Sequence, residues 1–385
     1  MTASPPLVAL EARALSGPAG GVVRYIRGLL DGFTQLDPPL TLTVICDHQR
    51  GQTAVRNFPS LAVPPATPWL RPYWNLVALP RAIRRLRPRL VHLTKPSGTP
   101  FRRGFPPVVT TIYDVISLTH PRTQTVAQRT YWRLELPAAA RHATAIVTIS
   151  EASKRAIVDT LGVPADRITV TTPGIEPTFA PAAPDARAAL LARLGLGATP
   201  YVLTVGTIEP RKNVDRLLRA FARVVGEFPH TLVIAGRWGW KTERVVAAAR
   251  DPRLKDRVCF LGRVESADLP TLYGSADAFA FLSQDEGFGF PPLEAMACGT
   301  PVLVSARGSL PEVVGPAALL VDPEDEEEIT SALRLLLADQ GVRTRLVEQG
   351  RAWIQQFTWE RTARQTLEVY ARVLEHTGEP ERPAP

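Results

Sequence analysis

The chain has 385 residues, 45% of them hydrophobic, and a net charge of +8 at pH 7. This length predicts two domains, and the composition is that of a soluble globular protein. No apolar run approaches the roughly 18 residues needed to span a membrane. Glu11 and Arg13 interrupt the apolar stretch at the N-terminus, so we expect neither a transmembrane helix nor a secretory signal.

Three cysteines, Cys46, Cys259 and Cys298, are scattered along the chain without the spacing of metal ligands. We expect them to be buried, reduced thiols of a cytoplasmic protein. The sequence therefore predicts neither a metal site nor a cofactor.

The positive charge is confined to the N-terminal half. Residues 1–190 hold 22 Lys/Arg and 11 Asp/Glu, a net charge of +11, whereas residues 191–385 carry −3. Such asymmetry points to an anionic partner of the first half, either a membrane surface, a phospholipid-linked acceptor or nucleic acid. An arginine-rich sequence with solvated faces explains it equally well. No recognisable nucleic-acid-binding module is present, so we expect no nucleic-acid partner.

Short apolar strands alternate with helical patterns along the chain, which predicts an α/β protein with parallel sheets. Six candidate strands fall on each side of a Pro-rich segment at 173–184, which is typical of a hinge. The predicted strands are Leu7–Arg13, Leu40–Asp47, Leu90–Thr94, Val108–Val115, Ala145–Ser150, Ile168–Thr172, Tyr201–Gly206, Thr231–Gly236, Val258–Gly262, Ala278–Ser283, Val302–Ser305 and Ala318–Asp322.

A glycine-rich turn, Gly17–Ile26, lies between the first predicted strand and the first helix. Gly20 and Gly21 in this turn can present backbone N–H groups to a phosphate. Turns of this kind are common after a first strand, so the pattern alone is a weak signal.

Residues 69–89 combine aromatic side chains with five arginines between 81 and 89. Aromatic residues beside a basic flank suit the interface of an anionic membrane. A core-packed helix followed by a solvated basic helix is the alternative. Pro80 is expected to divide the stretch into two helices.

In the second half, Val205–Val214 leaves a strand and enters an amphipathic helix, with Asn213 as the expected N-cap. Arg211 and Lys212 therefore stand at the carboxyl edge of the sheet, where a guanidinium and an ammonium can neutralise a diphosphate. Cations fixed in this position can stabilise negative charge on a bound diphosphate without a metal. A basic helix start that faces solvent is the weaker alternative, because cations are unfavourable at a helix N-terminus.

Two carboxylates eight positions apart form the most informative pattern. Glu286 lies in a glycine-rich loop after a predicted strand, and Glu294 is expected in the first turn of the next helix. A strand, a glycine loop and a helix in this order form the setting in which parallel sheets bind nucleotides. Glu286 can reach sugar hydroxyls and Glu294 can reach ribose hydroxyls. The loop residues expected to approach the same ligand are Gly287, Phe288, Gly289 and Phe290.

This pair, in the segments Glu286-Gly-Phe-Gly and Glu294-Ala-Met-Ala-Cys-Gly-Thr-Pro, resembles the retaining glycosyltransferases of family 4. The resemblance covers essentially the whole chain and is strongest from 201 to 323. It implies the α/β GT-B fold, in which two Rossmann-like domains with parallel sheets face each other across a cleft. Residues 1–178 would form the acceptor-side domain and 179–358 the domain that binds the nucleotide sugar. A terminal helix, here 359–376, packs back on the first domain in that fold.

Tyr113 and Asp114 take a catalytic role from the resemblance alone. They match a family segment beside the transferred sugar, in which many relatives have His at the position of Tyr113. A tyrosine is neutral near pH 7 and is a poor general base. His120, further along the same loop, can substitute for the family His or be incidental. A slow or inactive enzyme is therefore an alternative.

The remaining donor contacts come from three loops. The family has a first-loop glycine motif that faces the donor phosphate across the cleft, and Gly20 and Gly21 match it. It also has a loop whose backbone reads the nucleotide base, and Arg263 and Val264 match that loop. Gly236 and Arg237 follow a predicted strand and are expected to line the same cleft.

The sequence thus predicts a cytoplasmic, metal-independent, retaining glycosyltransferase that moves a hexose from a sugar nucleotide to a growing or lipid-linked glycan. Its catalytic residues would be Glu286, Arg211, Lys212, Asp114 and Tyr113. The segments around Arg211 and Tyr113 look most like bacterial mannosyltransferases of surface-polysaccharide assembly. This favours GDP-mannose as the donor, with UDP-glucose next. A non-catalytic subunit that binds nucleotide sugars without turnover is the alternative from another class.

Overall fold

The structure, a computed structural model, describes residues 5–17, 20–47, 55, 57–63, 73–97, 105–120, 126–197 and 199–378. It forms two compact units, Met1–Gly174 together with Phe357–Pro385, and Ile175–Gln356. The boundary at Gly174 falls inside the Pro-rich segment, and the C-terminal helix belongs to the first unit. Each unit is built around its own parallel sheet.

Within the described residues, the first unit has a seven-stranded sheet in which all neighbouring strands are parallel. Its order, β3-β2-β1-β4-β5-β6-β7, reverses between β1 and β4. Such a reversal opens a crevice at the carboxyl ends of the strands, where doubly wound sheets bind ligands. The strands are β1 (Leu7–Glu11), β2 (Thr41–Asp47), β3 (Ser60–Val63), β4 (Leu90–Leu93), β5 (Val108–Thr111), β6 (Ala145–Thr148) and β7 (Ile168–Val170).

The helices that the structure describes in this unit ahead of the boundary are α1 (Gly21–Leu36), α2 (Leu79–Leu86), α3 (Ile116–Thr119), α4 (Val126–His142) and α5 (Glu151–Leu161). A π-helical turn at Trp74–Ala78 runs directly into α2, so the expected division at Pro80 is wrong. Pro80 has no N–H to donate into the preceding turn and lies two residues after that turn ends, at the start of α2.

The second unit, in its described residues, has a six-stranded parallel sheet of order β10-β9-β8-β11-β12-β13. The order reverses between β8 and β11, so this sheet repeats the doubly wound pattern of the first. The strands are β8 (Tyr201–Val205), β9 (Thr231–Ala235), β10 (Val258–Gly262), β11 (Ala278–Phe281), β12 (Val302–Ser305) and β13 (Leu319–Val321).

Helices flank this second sheet. The apolar stripe of the helix after β8, including Leu217, Leu218 and Phe221, is buried in one core with Ile234 of β9 and Leu333 of a later helix. A period of 3.6 residues explains why these positions share a face. The helices are α6 (Pro184–Arg193), α7 (Val214–Val224), α8 (Glu243–Ala249), α9 (Leu269–Gly274), α10 (Phe290–Ala297), α11 (Leu310–Val314), α12 (Glu326–Ala338) and α13 (Gln340–Trp353).

The last helix, α14 (Trp359–Gly378), packs against α1 within the first unit. Three glycines allow this close approach. A Cβ atom would lie 2.0 Å from a Trp359 ring atom at Gly28, 2.3 Å from Trp359 O at Gly32 and 2.3 Å from Trp359 N at Gly174. Separations below 3.0 Å are not tolerated without movement, so the absence of side chains at these positions determines how closely the helix packs.

His92 of β4 ties α14 to the sheet. Its Nδ1 lies 2.6 Å from the Tyr370 hydroxyl of α14, and its Nε2 lies 2.7 Å from the Thr111 hydroxyl of β5. Burial lowers the pKa of His92 to about 3 and raises that of Tyr370 well above its usual value. Both groups are therefore neutral at pH 7, which suits a buried polar bridge.

All twelve predicted strands are present. The largest error in their bounds is at Val108–Val115, because the extended segment ends at Thr111. Strand β3 at Ser60–Val63 was not among the predicted strands.

Candidate active site

The charged motifs of the second half leave the sheet at its reversal point. Strands β8 and β11 are hydrogen-bonded neighbours there. After β8 the chain forms a 3-10 turn at Pro210–Lys212 and enters α7, and after β11 it passes Ser283 and Glu286 before α10. Parallel sheets bind ligands at this edge. The fold therefore brings the two motifs to one place.

Glu286 is the centre of a cluster of hydrogen-bond donors. Its Oε1 atom accepts from Lys212 Nζ at 2.5 Å and from Ser283 Oγ at 2.6 Å, and it forms an ion pair with Arg211 Nη1 at 2.7 Å. The side chains of Glu286, Lys212 and Arg211 are only 12%, 15% and 18% exposed. Charge-assisted bonds of this length are roughly twice as strong as neutral ones. Three of the predicted catalytic residues thus form one preorganised group.

The protonation states follow from this arrangement. Burial alone would raise the pKa of Glu286, but the Lys212 ammonium and the Arg211 guanidinium outweigh it and lower the pKa to about 2. Burial is the main cause that lowers the pKa of Lys212, and Arg211 adds to it while Glu286 opposes it. Glu286 is ionised at neutral pH and has no proton to donate. It can accept hydrogen bonds from hydroxyl groups.

Arg211 is also fixed on its other side. Its Nη2 lies 2.8 Å from Glu209 Oε1, and its Nη1 donates to the main-chain oxygen of Asp285 at 2.6 Å. Lys212 Nζ lies 4.6 Å from the centroid of the Phe281 ring, within cation–π range. Two cations therefore face two carboxylates, and an incoming anion competes with Glu286 for donors that are already oriented.

Two loops meet closely beside Lys212. A Cβ atom on Gly236 would lie 1.8 Å from the main-chain oxygen of Gly206, so only glycine fits there. The N–H of Gly236 donates to Gly262 at 2.7 Å and is thus used within the fold. Arg237 is exposed beside it. Gly236 holds the loops together, and of this predicted pair Arg237 has the side chain that is accessible to a ligand.

Arg263 and Val264 follow Gly262 at the carboxyl end of β10. Arg263 is exposed and Val264 is half-buried. Gly262 has a φ of +66°, a conformation that glycine adopts without strain. The loop therefore turns at the same edge of the sheet as Arg237, and its contact with a base stays a prediction.

The glycine loop 287–290 is held by Ser309. The Ser309 hydroxyl donates to the main-chain oxygens of Glu286 and Phe288, both at 2.9 Å. Gly289 has a φ of +94° and precedes the first residue of α10, a conformation that favours glycine. Phe288 is buried. These contacts fix the path of the loop and, with it, the position of Glu286.

Glu294 does not lie in the first turn of its helix as expected. Helix α10 begins at Phe290, one residue before Pro291, so Glu294 falls in the second turn. Its side chain is buried, and its Oε2 accepts from the Tyr273 hydroxyl at 2.5 Å. The hydrogen bond orients the carboxylate, whereas its contact with a ribose stays a prediction.

Asn213 occupies the N-cap position of α7, but its side chain does not cap the helix. It has a φ of +57° and donates through Nδ2 to the main-chain oxygen of Pro323 at 2.8 Å. The expected capping bond is wrong because the left-handed backbone directs the amide toward another loop. Asn213 instead joins the segment that carries Arg211 and Lys212 to the segment after β13.

Gly20 and Gly21 lie in the first unit at the start of α1. Gly20 is the N-cap and Gly21 the first helical residue, and both are exposed. A Cβ atom at Gly20 would meet nothing within 4 Å. The first N–H groups of a helix have no partner in the helix itself, and they suit an anion. Phosphate contact by these glycines stays a prediction.

Tyr113 follows β5 and is held by its neighbours. Its hydroxyl donates to the main-chain oxygen of Thr94 at 2.7 Å, and its ring lies edge-on to Tyr25 with centroids 5.3 Å apart. Burial, followed by Tyr25 and Glu11, raises the pKa of Tyr113 well above its usual value. The side chain is therefore neutral over the physiological range and is not a general base.

Asp114, the second predicted residue of this loop, accepts from the N–H of Ile116 at 3.0 Å and stabilises the start of α3. His120 follows the same short helix, with its Nδ1 3.0 Å from the Thr119 hydroxyl. Asp114 and Tyr113 lie in the first unit, and Glu286, Arg211 and Lys212 lie in the second. The catalytic roles of all five residues stay predictions.

Four residues that shape the site were missed in the sequence. Glu209 and Ser283 lie within segments that the sequence analysis named. A single carboxylate or hydroxyl in the sequence does not indicate which side chain it will bind. Tyr273 and Ser309 come from α9 and from the residue before α11, and they meet the site only through the fold. The Gly–Ser pair at 308–309 is a turn signal and could have indicated Ser309.

In the described part of the chain, no helix is long and apolar enough to cross a membrane. The same residues contain no group of three or more His, Cys, Asp or Glu side chains placed to hold a metal ion. No disulfide joins the three cysteines, all of which lie in the described residues. Cys46 and Cys298 are buried as expected, whereas Cys259 is half-buried.

Two family models match this chain, Glycosyltransferase Family 4 at residues 19–179 and Glycosyl transferases group 1 at residues 192–353. O-antigen chain mannosyltransferase B of Escherichia coli is 34% identical over 264 residues, which cover 68% of this chain and 69% of the relative. The chain belongs to the family 4 glycosyltransferases, and it is a glycosyltransferase by this membership.

Other similarities support the class and the fold. A D-inositol 3-phosphate glycosyltransferase of Kineococcus radiotolerans is 36% identical over 251 residues, 60% of this chain and 57% of that protein, so this match spans little more than half of the relative. The solved structure of a sucrose-phosphate synthase from Thermosynechococcus elongatus has a TM-score of 0.77 at 22% identity, covering 96% of this chain and all of that chain. Anabaena HepE with UDP-glucose gives 0.76 at 19% identity, over 95% and 100%. The predicted GT-B fold class is confirmed.

Proposed function

We propose that this glycosyltransferase is a retaining mannosyltransferase that uses GDP-mannose and extends a growing or lipid-linked glycan in the cytoplasm, without a metal ion. The E. coli relative named O-antigen chain mannosyltransferase B supports mannose and polysaccharide assembly. The cluster of Lys212 and Arg211 around Glu286 is the observation that carries the proposal.

The cations serve the leaving group. A nucleoside diphosphate gains negative charge as the glycosidic bond breaks, and donors fixed in advance stabilise that charge without further reorganisation. Glu209 and the main-chain oxygen of Asp285 hold Arg211, while Glu286 holds both cations. The low exposure of the cluster strengthens each interaction with the phosphates, because little water competes.

Glu286 binds the transferred sugar in this mechanism. Its pKa of about 2 keeps it ionised, so it accepts hydrogen bonds from sugar hydroxyls and protonates nothing. In the family mechanism the acceptor hydroxyl attacks from the same face that the diphosphate leaves, and the departing phosphate takes the proton. Tyr113, with its raised pKa, takes no proton from the acceptor. This division of roles agrees with a site that has no general base among Glu286, Lys212 and Arg211.

Calorimetry with GDP-mannose, UDP-glucose, UDP-N-acetylglucosamine and dTDP-rhamnose, in the presence of a chelator, tests the donor. We expect GDP-mannose to bind and Lys212→Ala to abolish binding, while Lys255→Ala, an exposed lysine of the same unit, changes nothing. UDP-glucose is the second candidate, because a structural relative was solved with it. Selective binding of UDP-glucose would show that UDP-glucose, and not GDP-mannose, is the donor. No binding by any of the four donors would overturn the proposal.

Turnover distinguishes an enzyme from a binding subunit. Incubation with the bound donor and lipid-linked or synthetic mannoside acceptors should release nucleoside diphosphate and form an α-linked product whose configuration is read by nuclear magnetic resonance. Donor binding without transfer to any acceptor would favour the non-catalytic subunit, which the tyrosine at position 113 motivates.

A peripheral membrane contact is part of this proposal. Helix α2 exposes Arg81, Arg84 and Arg85, with Arg87 directly after it, and the turn before it exposes Leu76. Cations beside an exposed apolar side chain suit an anionic lipid surface. We expect the protein to sediment with anionic liposomes but not with neutral ones. Replacing the four arginines by Ser should abolish this, and unchanged sedimentation of the variant would contradict the contact.

A further inference from the structure

An aromatic pair lies at the carboxyl edge of the second sheet. The indole of Trp238, in the loop after β9, stacks on Phe260 of β10 with ring centroids 5.0 Å apart and planes inclined by 28°. Trp238 is nevertheless 45% exposed. Because Phe260 covers one face of the indole, a ligand can stack only on the other face. Tryptophan combines a large apolar ring with a polar N–H, and it is enriched at binding surfaces.

The loop that carries Trp238 is held in place by backbone bonds. Ile208 donates to Arg237 O and Gly239 donates to Ile208 O, both at 2.9 Å, so Trp238 and Ile208 form a parallel bridge. A Cβ atom at Gly239 would lie 2.7 Å from Ile208 O, so glycine is required there. The backbone that carries the indole is thus fixed before any ligand arrives, which lowers the cost of ordering this loop on binding.

The same backbone links the aromatic pair to the cation cluster. Ile208 is followed directly by Glu209, whose carboxylate holds Arg211 at 2.8 Å. A Cβ atom at Gly239 would come within 3.6 Å of the Glu209 Cβ. The aromatic pair is therefore a neighbour of Arg211 and Lys212 at the carboxyl edge of the second sheet. Arg237, exposed and adjacent to Trp238 in the chain, adds positive charge to the same loop.

We propose that Trp238, backed by Phe260, is the platform on which the purine base of the donor stacks while Arg211 and Lys212 take its diphosphate. This inference rests on the proposed function and names a specificity-determining residue of the same site. A planar base has a π-face that suits an open indole, whereas a diphosphate or a water-exposed hydroxyl group gains nothing from it. A purine covers more of the indole than a pyrimidine does, so the platform favours GDP over UDP.

Calorimetry with GDP, UDP, pyrophosphate and GDP-mannose tests the platform in the full chain. We expect Trp238→Ala to weaken GDP binding about tenfold or more, as loss of base stacking does elsewhere. UDP should lose less and pyrophosphate nothing. Trp238→Phe should keep most of the GDP affinity, because a ring remains. Leu335→Ala removes an exposed apolar side chain of similar exposure, 43%, on α12 and should change no affinity.

The outcomes separate the inference from the proposed function. Normal GDP binding by Trp238→Ala, with binding still lost in Lys212→Ala, overturns the platform and leaves the donor site intact. If Trp238→Ala loses affinity for GDP-mannose but not for GDP, the indole contacts the sugar, and the base platform is also overturned. No binding of any nucleotide by the wild-type chain overturns both. Circular dichroism and urea denaturation of Trp238→Ala, together with retained binding by Trp238→Phe, exclude a folding defect as the cause of a loss.

Discussion

Lys212 Nζ and Glu286 Oε1 lie 2.5 Å apart although the two residues are 74 positions apart in the sequence. Each side chain sets the charge state of the other. The ammonium helps to keep the buried carboxylate ionised, and the carboxylate opposes the lowering of the ammonium pKa by burial. A change at either residue therefore alters both electrostatics and binding, and these effects can be separated.

Glu286→Gln should separate donor binding from transfer. The substitution removes the anion that competes for Lys212 and Arg211, so we expect the affinity for GDP to be unchanged or higher. Transfer should fall about 100-fold, since an acceptor for sugar hydroxyls is lost where charge develops. Calorimetry and initial rates measure the two quantities, with Glu243→Gln at the exposed start of α8 as control. An equal loss of binding and transfer would contradict the separate role of Glu286.

The same pair predicts a coupling in stability. Lys212→Met leaves the Glu286 carboxylate buried with Arg211 and Ser283 only, and we expect a loss of about 2–3 kcal/mol in the free energy of unfolding. Adding Glu286→Gln should restore part of this loss, because the uncompensated charge is removed, with a coupling of about 1 kcal/mol or more. Urea denaturation measures all three variants.

The control for this cycle is an exposed ion pair of the same unit. Arg334 Nε lies 2.7 Å from Glu227 Oε2, and both side chains are more than two-fifths exposed. Arg334→Met and Glu227→Gln should be nearly additive, because solvent screens the charges. Additive losses at Lys212 and Glu286 as well would show that burial does not couple them.

Patterns in the sequence predict strands well where the strand is buried on both faces. Ala278–Phe281 and Val302–Ser305 are buried throughout, and a continuous apolar run is their signature. Strand β3 at Ser60–Val63 lies at the edge of its sheet, begins with an exposed Ser and continues with two half-buried residues. A segment of such mixed burial cannot be distinguished from a loop by periodicity.

Motifs indicate which residues meet at a site but not how they pair. The glycines and charges around Arg211 and Glu286 predict the correct edge of the sheet, because parallel strands end together. The bond between Glu294 and Tyr273 joins α10 to α9, and no local pattern specifies it. Asn213 is a good capping residue by type, but the loop at Pro323 takes its side chain. Such tertiary contacts override local preference.

His92 predicts a pH dependence of stability. Its pKa is about 3 in the folded protein against 6.5 when exposed, so the folded state resists a proton that the unfolded chain binds. Its contribution to stability is complete above pH 6.5 and is lost as the pH falls from 6.5 toward 3. Between pH 7.5 and 5 the loss should be about 2 kcal/mol.

His92→Gln should remove this loss, because Gln does not titrate. The variant will be less stable at pH 7.5, since Tyr370 and Thr111 lose their shared partner, but its stability should fall less between pH 7.5 and 5. His376→Gln, at an exposed position of α14, the helix that carries Tyr370, should keep the wild-type slope. Urea denaturation at the two pH values measures the slopes, and equal slopes for wild type and His92→Gln would contradict a buried neutral imidazole.

Gly32 of α1 decides how closely α14 approaches. In a helix interior Gly→Ala normally stabilises by about 0.5–1 kcal/mol, whereas overpacking costs about 1–3 kcal/mol. A Cβ atom at Gly32 would lie 2.3 Å from the Trp359 main-chain oxygen and 2.8 Å from the Ala363 Cβ, and backbone cannot rotate away as a side chain can. We therefore expect Gly32→Ala to destabilise. Gly226→Ala, where nothing lies within 4 Å, should be neutral or stabilising, and a gain in stability at both positions on urea denaturation would show that α14 does not pack on α1.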